Sequence, residues 1–352
     1  MYEAFFGLNE RPFQLTPNPR FLFLNPRQRE ALATLRYGFT SSLGITLLLG
    51  EAGTGKTTLL RAALDAESRP EYRHVVLNNP TLSPGEFYEI LADRFALPAA
   101  SGSKAKFLLA FERDLAARHA AGGLTAIVID EAQSLTHELF EEVRLLANLE
   151  TATAKLVNVV LVGQPELADR LNDPSLRQLK QRVVLRCSLE PLDRHWTACY
   201  IASRLRVAGG EPTEVFAKDA VLAIYEASRG IPRTIGVVCE NALLAGYAAQ
   251  KKPVDGPLVA EVCGDLDLAS SNGRPRRAGE PLIEPPADEN GGADERAARP
   301  RAALRAAAQA RTRRREPGAW LPPKDAAAPP DGPGRAQDAP ANPDPNRIFR
   351  FF

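Results

Sequence analysis

The sequence contains Gly50-Glu51-Ala52-Gly53-Thr54-Gly55-Lys56-Thr57, which satisfies the pattern G-x-x-x-x-G-K-[ST] at every fixed position. Glycines at this spacing let successive backbone N–H groups turn into one loop. A helix opening directly behind that loop adds a dipole favourable to anions. Gly50 to Thr58 is therefore the expected cradle for the phosphates of a nucleotide. In such a loop the Lys56 ammonium meets the β- and γ-phosphates, and the Thr57 hydroxyl is a ligand of Mg²⁺. A second cluster follows downstream, where the apolar run Thr125-Ala-Ile-Val-Ile ends in Asp130 and Glu131. Asp130 is expected to hold the Mg²⁺, directly or through water, and Glu131 to orient and deprotonate an attacking water. A carboxylate pair after a strand also occurs at ordinary helix starts; here the upstream loop favours the chemical reading.

Three further positions narrow the chemistry, each with a plainer alternative. Gln164 closes Leu161-Val-Gly163, at the end of an apolar run beside the expected γ-phosphate. Its amide either helps position the water or forms a turn. Arg182 ends Leu176-Arg177-Gln-Leu-Lys-Gln181-Arg182. An arginine there projects into a neighbouring subunit's site as an arginine finger, or belongs to a solvated basic helix end. Gly230-Ile-Pro-Arg233 opens a helix with proline at its first position. Arg233 either reaches back to the γ-phosphate from a second domain or is an exposed residue at a helix start.

The elements that must hold these residues are legible as alternating patterns. Short apolar runs at Ile45–Leu49, Tyr72–Leu77, Leu124–Ile129, Val157–Val162 and Val183–Leu189 read as strands. Helical patterns lie between them. Asn25-Pro26 reads as an N-cap with proline behind it, and Leu32, Leu35 and Phe39 share one face of the helix that follows. Ser83-Pro-Gly-Glu86 is a capping box. Strands this apolar, separated by helices, imply a parallel sheet covered on both faces. Beyond Asp193 only helical patterns remain: Trp196–Val207, Asp219–Ala227, Thr234–Ala248 and Gly256–Cys263. The expected order is an N-terminal segment at 1–44, an α/β nucleotide-binding domain at 45–192, a helical domain at 193–268 and a tail at 269–352.

Composition bounds the class. At roughly 150 residues per domain, 352 residues suit about two domains. A net charge of +1 argues against a chain built throughout to coat nucleic acid. The four cysteines stand far apart with no C-x-x-C pair, so they read as small apolar residues in a reducing compartment. No apolar run reaches the roughly 18 residues of a membrane helix, and the start lacks the character of a secretion signal. The expected location is the cytoplasm.

The motifs taken together resemble the AAA+ ATPases. They run in the order strand, phosphate loop, Asp-Glu, polar strand end, Gln-Arg and Gly-x-Pro-Arg. The opening Phe5-Phe6-Gly7-Leu8-Asn-Glu-Arg-Pro12-Phe13, with Thr16-Pro-Asn-Pro19-Arg20-Phe21, Glu142–Glu150 and Val162-Gly-Gln-Pro-Glu-Leu167, is similar to the ExeA/GspA-type members of secretion, pilus and exopolysaccharide systems. The resemblance implies a P-loop NTPase of α/β class, with a five-stranded parallel sheet and a C-terminal helical lid. It implies ATP and Mg²⁺ as cofactors and ATP hydrolysis that supports assembly or export of an envelope structure. Lys56 and Thr57 match the phosphate and Mg²⁺ ligands, Asp130 and Glu131 the metal and catalytic carboxylates, and Gln164 the first sensor. Arg182 matches the arginine finger and Arg233 the second sensor, which implies a homo-oligomer.

Many ExeA-type chains continue into a membrane helix and a peptidoglycan-binding domain. Here the tail is polar, so neither anchoring nor peptidoglycan contact is expected; attachment at the inner membrane would be peripheral, through partners. About half of the 29 prolines fall after Ala269, in a segment too polar to offset its ordering entropy, and it is expected to be disordered. Within it, Arg299–Arg315 is either an electrostatic patch for nucleic acid or anionic lipid, or a solvated linker. The aromatic end Arg347-Ile-Phe-Arg-Phe-Phe352 is either a docking peptide for a secretion partner or a free terminus. Two other functions stay open: a DNA-binding helper ATPase of the transposition type, with nucleic acid the less favoured partner, and a nucleotide-gated scaffold with negligible turnover.

Overall fold

The computed structural model describes residues 1–268 apart from 15, 17, 68–70, 79–80 and 98–101. The expectations for the tail at 269–352 lie outside the described residues, as do those for Arg299–Arg315 and Arg347–Phe352. Five strands, β1 (Ile45–Gly50), β2 (Tyr72–Asn78), β3 (Leu124–Asp130), β4 (Asn158–Gly163) and β5 (Val183–Leu189), form one sheet in the order β2-β3-β4-β1-β5. Every neighbouring pair is parallel.

Strand alternation sends successive side chains to opposite faces, and both faces are covered. Ile45, Leu47 and Leu49 of β1 join a core with Phe87 and Leu91 of α4 (Pro84–Arg94), Phe107 and Phe111 of α5 (Lys104–Ala120) and Phe140 of α6 (His137–Leu146). Leu48 turns the other way, toward Leu35 and Phe39 of α2 (Pro26–Thr40) and Leu59 and Leu60 of α3 (Lys56–Asp65). This double cover is the reason β1 and β4 are buried at all six positions and read as unbroken apolar runs. The edge strand β5, by contrast, alternates between half-buried and exposed residues up to the buried Leu189.

Local signals set the helix starts. The Asn25 side chain accepts from the Gln28 N–H while Gln28 returns a bond to the Asn25 N–H, with Pro26 at the first position. Ser83 and Glu86 form the same reciprocal pair at α4. Each such cap is worth about 1 kcal/mol.

The C-terminal helices α9 (Arg194–Val207), α10 (Pro212–Val215), α11 (Lys218–Ser228), α12 (Pro232–Ala248) and α13 (Gly256–Asp265) share a core of their own. Tyr2 and Phe6 of α1 (Tyr2–Phe6), with Leu8, Phe13 and Phe21, are buried in that same core. The Tyr2 hydroxyl donates to Glu240 Oε2 of α12 at 2.8 Å. The first stretch of chain is thus built into the helical lid, whereas α2, next in sequence, packs on the sheet. The chain therefore passes between lid and sheet layer twice, after Phe21 and after Leu189. No described helix is long and apolar enough to cross a membrane.

Candidate functional site

β1 ends at Gly50 and α3 begins at Lys56, with Gly55 as its N-cap at φ +97°. A Cβ at Gly55 would meet no neighbour within 4 Å, so the demand there is for left-handed backbone, which glycine meets without strain. Lys56 is only 5% exposed. Its Nζ donates to the carbonyls of Gly50 at 2.8 Å and Glu51 at 3.0 Å. Burial pushes the ammonium below the usual lysine range, and the carboxylates of Glu131, Asp130 and Glu166 work against that shift. The buried Thr54 braces the loop through its Oγ1, which donates to the Glu51 carbonyl at 2.8 Å. Ala52 and Thr58 line the cleft above the loop.

The parallel register brings the end of β3 beside this loop. Thr57 Oγ1 donates to Asp130 Oδ2 at 2.9 Å, and Asp130 Oδ1 accepts from the Glu131 N–H at 2.9 Å. A hydroxyl and a carboxylate in contact are hard oxygen donors. They suit Mg²⁺, which takes one or two protein oxygens and keeps its other positions for phosphate oxygens and water. Among the described residues no group of three or more His, Cys, Asp or Glu could hold a metal ion. The donor set therefore fits a cation shared with phosphates better than one caged by protein alone.

Glu131 stands just past the strand in left-handed backbone, at φ +54°. Its Oε2 accepts from Gln133 Nε2 at 2.5 Å, and Gln133 Oε1 accepts from the Gln164 N–H at 3.1 Å. The residues at the ends of β3 and β4 are thus joined by a side chain that the sequence reading passed over. Its only signal was an amide two places after Glu131, in Asp130-Glu131-Ala132-Gln133.

The lid closes the other side of the cleft. The Arg233 N–H, in the first turn of α12, donates to the Gly53 carbonyl at 3.2 Å. Gly230, at φ +75°, lies so close to Leu192 that an added Cβ would fall 1.7 Å from its carbonyl oxygen. Only glycine fits the turn that delivers Arg233. The cleft, of about 430 Å³, is lined by Lys56, Thr57, Glu131 and Arg233 on its polar side and by Phe13 and Phe21 on the other. Arg204 of α9 also faces it, unremarked in the sequence. Its guanidinium lies over the rings of Phe21, Tyr200 and Phe13 at 5.0, 5.4 and 5.9 Å.

Arg182, two residues past the short helix α8 (Arg177–Lys180), lies apart from all of this. Its carbonyl accepts from the Ile45 N–H at 3.2 Å, at the amino end of β1. The length of that strand puts it about 16 Å from the phosphate loop. The four cysteines are free. Burial pushes the Cys187 thiol up to about 12 and the Cys199 thiol up to about 11, so both stay protonated at neutral pH.

Residues 40–171 match the AAA domain family. Among solved structures, Cdc6p from Pyrobaculum aerophilum superposes with a TM-score of 0.57 at 18% identity, covering 72% of this chain and 70% of that one. The Aeropyrum pernix ORC2 protein, solved in ADPNP–ADP complexes, gives 0.55 at 16% identity, covering 74% and 72%. Fold and site together are those of a P-loop NTPase of the AAA+ class.

Sequence then places the chain more closely. It is 41% identical over 271 residues to General secretion pathway protein A of Aeromonas hydrophila, an alignment spanning 77% of this chain and 48% of that protein. The chain belongs to the ExeA/GspA-type AAA+ family, and it spans about half the length of the curated relative it matches.

Proposed function

We propose that this protein binds ATP with Mg²⁺, hydrolyses it, and uses the cycle to drive a secretion or other envelope-assembly machine. The observation that carries the reading is the Thr57–Asp130 contact of 2.9 Å, with Thr57 lining the same cleft as Lys56, Glu131 and Arg233. Gly50, Glu51, Ala52, Gly53, Thr54, Gly55 and Thr58 shape the loop that receives the phosphates. Lys56, now bonded to two loop carbonyls, exchanges them for β- and γ-phosphate oxygens. Thr57 and Asp130 would hold the Mg²⁺, which would supply positive charge to the phosphates.

In this reading the Glu131 carboxylate takes a proton from the attacking water. The water oxygen bonds to the γ-phosphorus as the bond to the β–γ bridging oxygen breaks, and ADP leaves with that electron pair. Gln164 orients the water or the γ-phosphate from the end of β4. Arg233 reaches the same phosphate from the lid, and because its backbone is bonded to the loop, a change in the phosphates moves the lid. Arg182, at the far end of the sheet, completes the site of a neighbouring subunit in a homo-oligomer. Likeness to the secretion pathway relative supports work with a secretion partner, which we place at the cytoplasmic side of the inner membrane.

The test compares Lys56→Ala with Glu131→Gln. The first is expected to lose ATP binding, because no ammonium meets the phosphates. The second is expected to bind ATP and lose most turnover. ATP binding that survives in the first, or unchanged turnover in the second, overturns the reading.

A further inference from the structure

We propose that Gln133 is a positioning residue for hydrolysis, whose side-chain amide ties the Glu131 carboxylate to the end of β4 and so sets where the base stands. The proposal rests on the reading of Glu131 as the base.

The chemistry of the two partners fixes the amide. A backbone N–H can only donate and a carboxylate can only accept. Gln133 Oε1 must therefore face the Gln164 N–H and Nε2 must face Glu131, which are the contacts found at 3.1 and 2.5 Å. Glutamate in this place has no donor for Glu131 and adds a like charge. Leucine or methionine fills the volume and supplies neither bond.

The surroundings hold the fork in place. Gln133 lies in the 3₁₀ turn Ala132–Ser134, closed by the Ser134 N–H on the Glu131 carbonyl at 2.9 Å. Arg170 of α7 (Pro165–Leu171) donates to the Gln133 carbonyl and stacks over Phe140 at 4.9 Å. On the strand side, a Cβ at Gly163 would come within 2.7 Å of Leu167 Cδ2 and 2.8 Å of Gln133 Oε1, so the bare backbone of β4 leaves room for both the amide and Leu167. Gln133 does not itself line the cleft. Its effect reaches the substrate only through Glu131, whose Oε2 it engages. A base held in one orientation makes a near-attack geometry more frequent, which acts on kcat and not on ATP affinity.

The test measures turnover and ATP affinity of the full chain as wild type, Gln133→Leu, Gln133→Glu and Gly163→Ala, with thermal melts to confirm folding. All three variants are expected to lose at least tenfold in kcat with ATP Kd within threefold. Gly163→Ala crowds the amide from a different strand and crowds Leu167 as well, so its loss counts for the fork only where adding Gln133→Leu to it costs nothing further. Gln133→Leu is then added to Glu131→Gln and single-turnover phosphate release is followed. No further loss is expected, because the group through which Gln133 acts is already gone. A kcat within twofold of wild type in Gln133→Leu overturns the proposal. So does an equal loss with and without the Glu131 carboxylate, or a fall in ATP affinity that matches the fall in kcat. If instead Glu131→Gln alone turns over normally, it is the underlying reading of the base that fails.

Discussion

The Arg233 backbone N–H lies within hydrogen-bond reach of the Gly53 carbonyl, at 3.2 Å, so the first turn of a lid helix is bonded directly to the phosphate loop. Loop and lid consequently share one boundary. The closeness is also steric: a Cβ on Gly53 would lie 2.9 Å from the Arg233 Cβ and 3.0 Å from the Ile231 Cγ2.

Gly53→Ala should therefore pry the lid from the loop. Its backbone stands at φ +82°, where a side chain costs about 1–2 kcal/mol, and the contact with α12 adds to that strain. ATP affinity is expected to fall at least tenfold while the sheet stays folded. Titration calorimetry checks this; wild-type affinity in the variant would show that the loop tolerates a separated lid.

ATP binding should weaken at alkaline pH earlier than an ordinary lysine would dictate. Burial holds the Lys56 ammonium below the usual lysine range, and the phosphates bind only its charged form. As pH rises through that lowered value, binding must first restore the proton, so affinity falls. A pH series of Kd for a non-hydrolysable ATP analogue reads the effect, and an unchanged Kd up to the ordinary lysine range would contradict it.

The distance of Arg182 from its own phosphate loop predicts complementation between subunits. Arg182→Ala and Lys56→Ala, each inactive alone, should regain turnover on mixing, since one interface then pairs an intact loop with an intact finger. An arginine finger is worth about a thousandfold or more in rate, so recovery is easy to see. Wild-type turnover per subunit should also rise with protein concentration. Concentration-independent turnover with no rescue would make Arg182 an ordinary residue of the sheet's amino edge.

The N-terminal strap should carry lid stability. Phe6 is 1% exposed in the lid core, and Phe6→Ala is expected to cost about 3–5 kcal/mol. Tyr2→Phe removes the bond to Glu240 and should cost about 1 kcal/mol. Denaturant unfolding measures both; a strap that only rests on the surface would show neither loss.

The five strands were legible because a parallel sheet covered on both faces needs unbroken apolar runs, as at Ile45–Gly50 and Asn158–Gly163. The phosphate loop was legible because its glycines and its lysine answer to local backbone geometry. The caps at Asn25 and Ser83 were legible for the same reason, since donor and acceptor stand three residues apart. What the tertiary structure alone decided joins residues remote in the chain. It set Arg233 on Gly53, placed Gln133 between Glu131 and Gln164, and carried Phe13 and Phe21 into the lid core while Phe39 went to the sheet. Periodicity says that a phenylalanine is buried and leaves open which core takes it, and an amide's type leaves open which two groups it bridges. Those outcomes depend on strand register and helix packing, which bring the groups together only once the whole domain has formed.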